Sequence, residues 1–267
     1  MQTTPAAPGS AAAQGELWGA RARDYADFQE PQLRPLFEDA IRRTCIGQGT
    51  TVLDVGCGPG GFCRLAAETG AATVGIDASQ ALIEISRERV PSERFDVGEM
   101  QFLPYEDDTF DVITAFNSLQ YAADRVAALN EARRVARTGG IVHVVVWGRE
   151  EHTELVAALR ALGPLLPAAP PGAPGPFALS YPGALEALVE QAGLTAIDDG
   201  YIEVTFEYLD ETTLLKGNNS NGPVVLAERT SGEAAVANAV RSALASFRTV
   251  SGTYRIETEW RYVTASA

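Results

Sequence analysis

The chain has 267 residues, 46 % of them hydrophobic, and 21 Lys+Arg against 35 Asp+Glu give a formal net charge of −14. That length suits one α/β domain with an elaboration, and that charge argues against unaided binding to a nucleic-acid backbone or an anionic membrane. Three cysteines make no disulfide framework and point to a reducing, cytoplasmic setting, and no apolar run is long enough to cross a membrane.

Residues 1–14, rich in Ala, Pro and Thr, read as a disordered tail without the basic start or apolar stretch of a signal peptide. The rest, 15–267, reads as a single domain. Helices are expected at 16–28 and 32–43, separated by Pro31, so that 15–45 forms a helical cap. Strands are expected at 52–55, 73–76, 94–97, 112–115 and 141–147, with helices at 62–68, 78–88 and 122–136 between them. This alternation specifies an α/β fold with a mostly parallel, Rossmann-like sheet and helices on both faces. Residues 163–177 hold six prolines (164, 167, 170, 171, 174 and 176) and form a surface connection or flap. A helix at 181–192, a strand at 201–208, a helix at 233–247 and a strand at 253–264 complete the chain. Residues 210–247 interrupt the last strand pair and read as a lid.

The most informative segment is Val52-Leu-Asp-Val-Gly-Cys-Gly-Pro-Gly-Gly-Phe62. A β-branched strand breaks into glycines and resumes as a helix, which lets a ligand approach the main chain. Asp77 follows Gly56 by 21 residues, just after the second strand. An acidic residue there accepts hydrogen bonds from a ribose diol, which points to an adenosine-containing ligand. Gly56, Gly58 and Gly61 also satisfy the dinucleotide spacing. Against that reading stand Asp54, whose carboxylate would repel a pyrophosphate, Pro59, which has no N–H to donate, and the fifty or so residues ahead of the motif. An acidic turn suits a cationic ligand, and S-adenosylmethionine fits.

With Val74-Gly-Ile-Asp-Ala-Ser79, Gly98-Glu-Met-Gln-Phe-Leu-Pro-Tyr105, Phe110-Asp-Val-Ile-Thr114 and Glu131-Ala-Arg-Arg-Val-Ala-Arg-Thr-Gly-Gly140 in order behind it, the segment from about Trp18 to Trp147 resembles the class I S-adenosylmethionine-dependent methyltransferases. The likeness is strongest to their small-molecule branch, of the ubiquinone/menaquinone-biosynthesis type. The resemblance implies a seven-stranded sheet closed by an antiparallel hairpin, S-adenosylmethionine as cofactor and S-adenosylhomocysteine as product. It places the methionine part of the cofactor on the backbone of Gly56, Cys57, Gly58 and Gly60, with Asp54 near its amino-acid end. Asp77 would hold the ribose hydroxyls and Ala78 would pack beside adenine. Glu99 and Met100 would meet the adenine edge and ring, although the family usually has Asp-Ala there. Tyr25, with Trp18 seven residues before it, would cover the carboxylate and sulfonium.

Asn117-Ser-Leu-Gln-Tyr121 follows the fourth strand, where Asn117 and Ser118 would line the cofactor and Gln120 or Tyr121 the acceptor. The segment lacks the Pro-Pro of nucleic-acid amino-methyltransferases, so a small-molecule acceptor is expected and neither nucleic acid nor membrane. Of two histidines, His143 reads as an interior residue of the fifth strand, and His152, just past its end, as a candidate general base. No metal motif is recognisable. Asn218-Asn-Ser-Asn221 reads either as a turn or as a polar wall of the acceptor pocket. Expected states are monomer or homodimer. A cyclisation with retained cofactor, or a non-catalytic cofactor-binding module, remain as rival functions.

Overall fold

Residues 51–147 carry the alternation of strand and helix into space as a parallel sheet. The computed structural model describes residues 9–169 and 174–267. Seven strands stand in the order β3-β2-β1-β4-β5-β7-β6. They are β1 (Thr51–Val55), β2 (Ala72–Asp77), β3 (Arg94–Val97), β4 (Phe110–Phe116), β5 (Ala136–Trp147), β6 (Thr195–Tyr208) and β7 (Tyr254–Ser266). The first five pair in parallel, and β7 runs antiparallel between β5 and β6. The strand order reverses at β1 and β4, where a ligand crevice opens beyond the carboxyl ends.

Period-two alternation divides the core. Val52, Val112, Val145 and Tyr262 face one apolar layer, and Leu53, Ile113, Val144 and Val263 face the other. Helix α4 (Gly61–Glu68) brings Phe62 and Leu65 to the first layer, and α6 (Arg125–Val135) brings Leu129 to the second. Helix α5 (Gln80–Arg89) starts at Ser79, whose side chain accepts from the Leu82 N–H. Helix α8 (Ala184–Gln191) covers the β6–β7 side through Leu185 and Val189. The guanidinium of Arg261, 1 % exposed, bonds Asp199 at 2.8 Å, pairs with Glu186 and donates to the Gly200 carbonyl at 3.0 Å. It thereby ties β7, β6 and α8 together.

The N-terminal segment departs from expectation. Helix α1 (Ala11–Gly19) begins ahead of residue 16, so 11–14 belong to a helix and not to a tail. The helix expected over 16–28 is broken. Arg21 leaves the helical region at φ −132°, and a single turn α2 (Ala22–Asp24), a π-turn (Tyr25–Gln29) and a 3-10 turn (Glu30–Leu33) lead into α3 (Arg34–Arg43). The cause is close packing: a Cβ at Gly15 would lie 2.3 Å from the Ala78 carbonyl oxygen, and one at Gly19 would lie 2.7 Å from the Ser79 Oγ. The helix must leave this contact before the chain can reach the sheet face. Helix α7 (Val156–Leu162) was not expected, and Pro170 and Pro171 lie outside the described residues.

The insertion expected at 210–247 consists of α9 (Glu211–Asn219), α10 (Gly222–Ser231) and α11 (Glu233–Leu244). Leu214, Val224, Val236, Val240 and Leu244 are buried in the same apolar layer as Phe62 and Trp260. The insertion is therefore part of the core. Leu214→Ala should lower the unfolding free energy by about 2–5 kcal/mol while the transition stays single, as read by urea unfolding followed by circular dichroism. An unmoved main transition would show that α9–α11 unfold separately.

Candidate active site

β1 leaves the sheet through Gly56 at φ +80°, Gly58 at φ +54° and Gly60 at φ +86°. Side chains with a Cβ rarely adopt such values, and at Gly56 a Cβ would also lie 2.3 Å from that of Ser118. Every N–H of this turn already has a protein acceptor. Gly56 and Cys57 donate to the Ile76 carbonyl and Gly60 to that of Cys57. Gly58 donates to Asp77 Oδ2 at 2.9 Å, and Gly61, the first residue of α4, donates to Glu30 Oε1 at 2.7 Å. Pro59 has no N–H. A pyrophosphate would need these donors, so the dinucleotide arrangement does not fit.

Two buried carboxylates, Asp54 and Glu30, and the half-buried Asp77 stand around the turn. Asp54 accepts from Thr114 Oγ1 at 2.7 Å, and burial, opposed by that bond and aided by the charges of Asp77 and Glu30, pushes its carboxyl up to about 7. Glu30 is pushed up to about 7 by burial, against the Gly61 bond and the Arg89 guanidinium 2.9 Å away. Asp77 is raised by burial and held back by the N–H groups of Ser79 and Gly58. Such a field favours a cation.

Ahead of the turn lies a cavity with about 660 Å³ of empty space, mouth included. Gly56, Gly58, Asp77 and Ala78 line one side, Glu99 and Met100 a second, Asn117 and Ser118 a third, and Trp18, Tyr25 and Tyr121 close it. Asp77 uses two acceptor positions on the backbone, at 2.8 Å to Ser79 and 2.9 Å to Gly58. A carboxylate has about four, so capacity remains for a diol. Glu99 is held by α1, its Oε2 accepting the Ala11 N–H at 2.7 Å. Trp18 and Tyr25 do not share a helical face, yet tertiary folding sets their rings edge to face at 5.6 Å, and Trp18 lies 5.3 Å from Tyr121 in the same manner.

Three expected residues do not line this cavity. Cys57 turns its thiol into a cluster with Cys63, Ile83 and Phe95. Gly60 backs onto Ser86 and Phe95, which a Cβ would meet at 3.0 and 3.4 Å. Asp54 stays inside the sheet, on Thr114. Conversely Ser10, Ala11 and Gln14 line the cavity. The alanine run at 11–13, a good helix former, was the signal for them.

A second cavity, with about 1450 Å³ of empty space, open solvent at its mouth included, adjoins the first through Tyr25, Asn117 and Tyr121, which line both. Trp147, Trp260, Leu155, Leu162 and Val224 form its apolar wall, and Gln29, Gln120, Arg125, Asn218 and Asn221 supply polar groups. Asn218 and Asn221 thus do both things expected of their run, ending α9 and facing a pocket. The first cavity takes α1 as its cover, whereas α10, Gly163, Leu166 and residues 174–176 cover the second. His152 does not reach either cavity. It ends a 3-10 turn (Glu150–His152) with its side chain exposed and lines neither cavity, so its assignment as a base is corrected. His143 is interior, its Nδ1 2.9 Å from Thr264 Oγ1, and burial pushes its pKa down to about 4.

Residues 53–144 match the family model described as a methyltransferase domain. That segment of the chain is a methyltransferase domain. Methyltransferase GfsG of Streptomyces halstedii is 40 % identical over 121 residues, 42 % of this chain and 44 % of that protein. An uncharacterised protein of Mycobacterium tuberculosis is 34 % identical over 128 residues, 46 % of this chain and 47 % of its own length. The chain spans about half the length, or less, of the curated relatives it matches first. A structure described as a putative methyltransferase from Bacillus halodurans superposes with a TM-score of 0.58 over 86 % of this chain and 97 % of its own, at 13 % identity, and shows the shared fold. S-adenosylmethionine is the cofactor of this methyltransferase domain. The residues present fit it: glycines where a Cβ would intrude, a carboxylate with spare acceptors at the end of β2, and a negative field for a sulfonium.

Asp77→Ala should weaken S-adenosylhomocysteine binding about tenfold or more, since hydrogen bonds to a charged group contribute roughly 1.5–3 kcal/mol each. Calorimetric titration checks this, with circular dichroism to show that the variant is folded. Unchanged affinity would remove Asp77 from the site.

Asp54→Asn tests the buried charge without ligand. A carboxyl raised in the folded state stabilises the fold below its unfolded pKa, and that contribution is lost as pH rises toward about 7. The melting temperature of the variant relative to the parent should therefore climb between pH 4 and pH 8. A difference independent of pH would mean that Asp54 is ionised throughout.

Proposed function

We propose that this protein transfers the methyl group of S-adenosylmethionine to a small, largely apolar organic acceptor held in the second cavity. One observation carries the reading: the two cavities share Tyr25, Asn117 and Tyr121, so a donor in the first meets an acceptor in the second across a common wall. Their apolar lining supports a small molecule over a nucleic acid, as does the charge of −14. Three unpaired thiols agree with a cytoplasmic setting.

The bound cofactor supplies an electrophilic methyl on sulfur. Gly56 and Gly58 would let it lie against the main chain, Asp77 would hold the ribose, and Glu99 and Met100 would flank the adenine. Burial pushes the phenol of Tyr121 up to about 12 and that of Tyr25 higher still, so both stay protonated at neutral pH and serve as donors rather than bases. Holding acceptor and methyl in line lowers the barrier by roughly 7–11 kcal/mol. Helices α1 and α10 keep water from the junction, which strengthens the attraction between a nucleophile and a sulfonium. Trp18 connects the two covers, because a Cβ on Gly222 of α10 would lie 2.7 Å from its Nε1.

Incubation with methyl-labelled cofactor and a metabolite extract should give S-adenosylhomocysteine and one labelled product, separated by chromatography. Substrate conversion without S-adenosylhomocysteine would favour a cyclisation, and cofactor binding without any conversion would favour a binding module.

A further inference from the structure

Among the described residues, the lining of the second cavity holds one charged side chain and no base. Its ionisable lining residues are Tyr25, Tyr121 and Arg125. Neither tyrosine ionises near neutral pH, for the reasons given above. His143 is sealed against Thr264, and His152 is elsewhere. The undescribed residues add no ionisable side chain, since 1–8 are Met-Gln-Thr-Thr-Pro-Ala-Ala-Pro and 170–173 are Pro-Pro-Gly-Ala. An alcohol or amine acceptor would therefore find no side chain here to take its proton.

Arg125 is placed differently from most arginines of the chain. Among the described residues it forms no ion pair, and its hydrogen bond is from Nη2 to the Gln120 carbonyl at 3.2 Å. It is half-buried, and desolvation lowers its pKa without threatening its charge. Gln120 in turn contacts the Asn117 side chain at the junction, and its Oε1 is buried without a partner. A half-buried guanidinium without a counter-charge, facing an apolar cavity, lacks the anion that such groups usually have.

We propose that the acceptor is an apolar molecule bearing a carboxylate, that Arg125 is the residue that selects it, and that the product is a methyl ester. This rests on the methyl-transfer reading above. A carboxylate reaches the site already ionised, so a cavity without a base suffices. One carboxylate oxygen gives an electron pair to the new O–CH3 bond, the C–S bond breaks with its pair going to sulfur, and no proton moves. The planar fork of Arg125 matches the two carboxylate oxygens, while Trp147, Trp260 and Leu162 take the apolar body.

The test uses the full chain with S-adenosylhomocysteine bound, and decanoate, 4-phenylbutyrate and their uncharged amides as probes. Calorimetry should show the carboxylates binding at least tenfold more tightly than the amides. Arg125→Gln should abolish that preference while S-adenosylhomocysteine affinity stays within twofold, and Arg125→Lys should restore part of it. With methyl-labelled cofactor, label should enter the carboxylates in a form released as methanol by mild alkali. Equal binding of acids and amides, or an Arg125→Gln variant that keeps the preference, overturns the proposal. If S-adenosylhomocysteine itself fails to bind, the methyltransferase reading fails first. If it binds and label enters amines or alcohols in an alkali-stable form, only the carboxylate assignment falls.

Discussion

Everything at the carboxyl edge of the sheet depends on how the turn from Gly56 to Gly61 satisfies its own backbone. A strand that turns into a helix frees a row of N–H groups, and in many nucleotide folds a phosphate takes them. Here the protein takes them itself, with the Ile76 and Cys57 carbonyls and the carboxylates of Asp77 and Glu30. The same contacts fix the direction of Asp77, draw the N-terminal segment onto α4 through Glu30, and give the site a negative character. Ligand class, cap position and local electrostatics follow from one set of hydrogen bonds.

The two covers are joined at their hinge. Arg21, where α1 ends, reaches Glu228 of α10 at 2.8 Å and the Asn219 carbonyl at 3.1 Å. Trp18 lies under Gly222 and between Tyr25 and Tyr121, so the side chain that closes the first cavity also touches the cover of the second. On the far side of the second cavity, Trp147 of β5 stacks on Trp260 of β7 at 4.5 Å. The wall of the second cavity thus draws on the antiparallel pair β5–β7, while the first cavity is lined by residues at the ends of the parallel strands.

Much of the first cavity was legible. The ends of β1 and β2 are marked by glycines and by an aspartate at a spacing set by one strand–helix–strand unit, so their order alone put Gly56, Gly58 and Asp77 side by side, and all three line one cavity. Ala78, Glu99, Met100, Asn117 and Ser118 follow strand ends in the same way. Cys57 and Gly60 were misplaced because a turn points successive residues in different directions, and that choice is not written in the spacing. His152 was misplaced because the chain after Trp147 makes a short 3-10 turn along the surface, where proximity in sequence to a strand end carries no proximity to the crevice.

The amino-acid sequence by itself determined the parallel sheet, the glycine turn, the carboxylate at the end of β2 and the presence of an insertion in the last strand pair. Each is a local pattern, either a hydrophobic period or a backbone conformation that few residues tolerate. Tertiary structure alone decided that α1 begins at Ala11 and breaks at Arg21, that Trp18 and Tyr25 meet without sharing a helix face, and that Arg125, Trp147 and Trp260 line one cavity. These pairings join residues as much as about 135 positions apart in the chain. Their energies come from packing and from matched buried polar groups, which exist only once the sheet has brought the distant elements together.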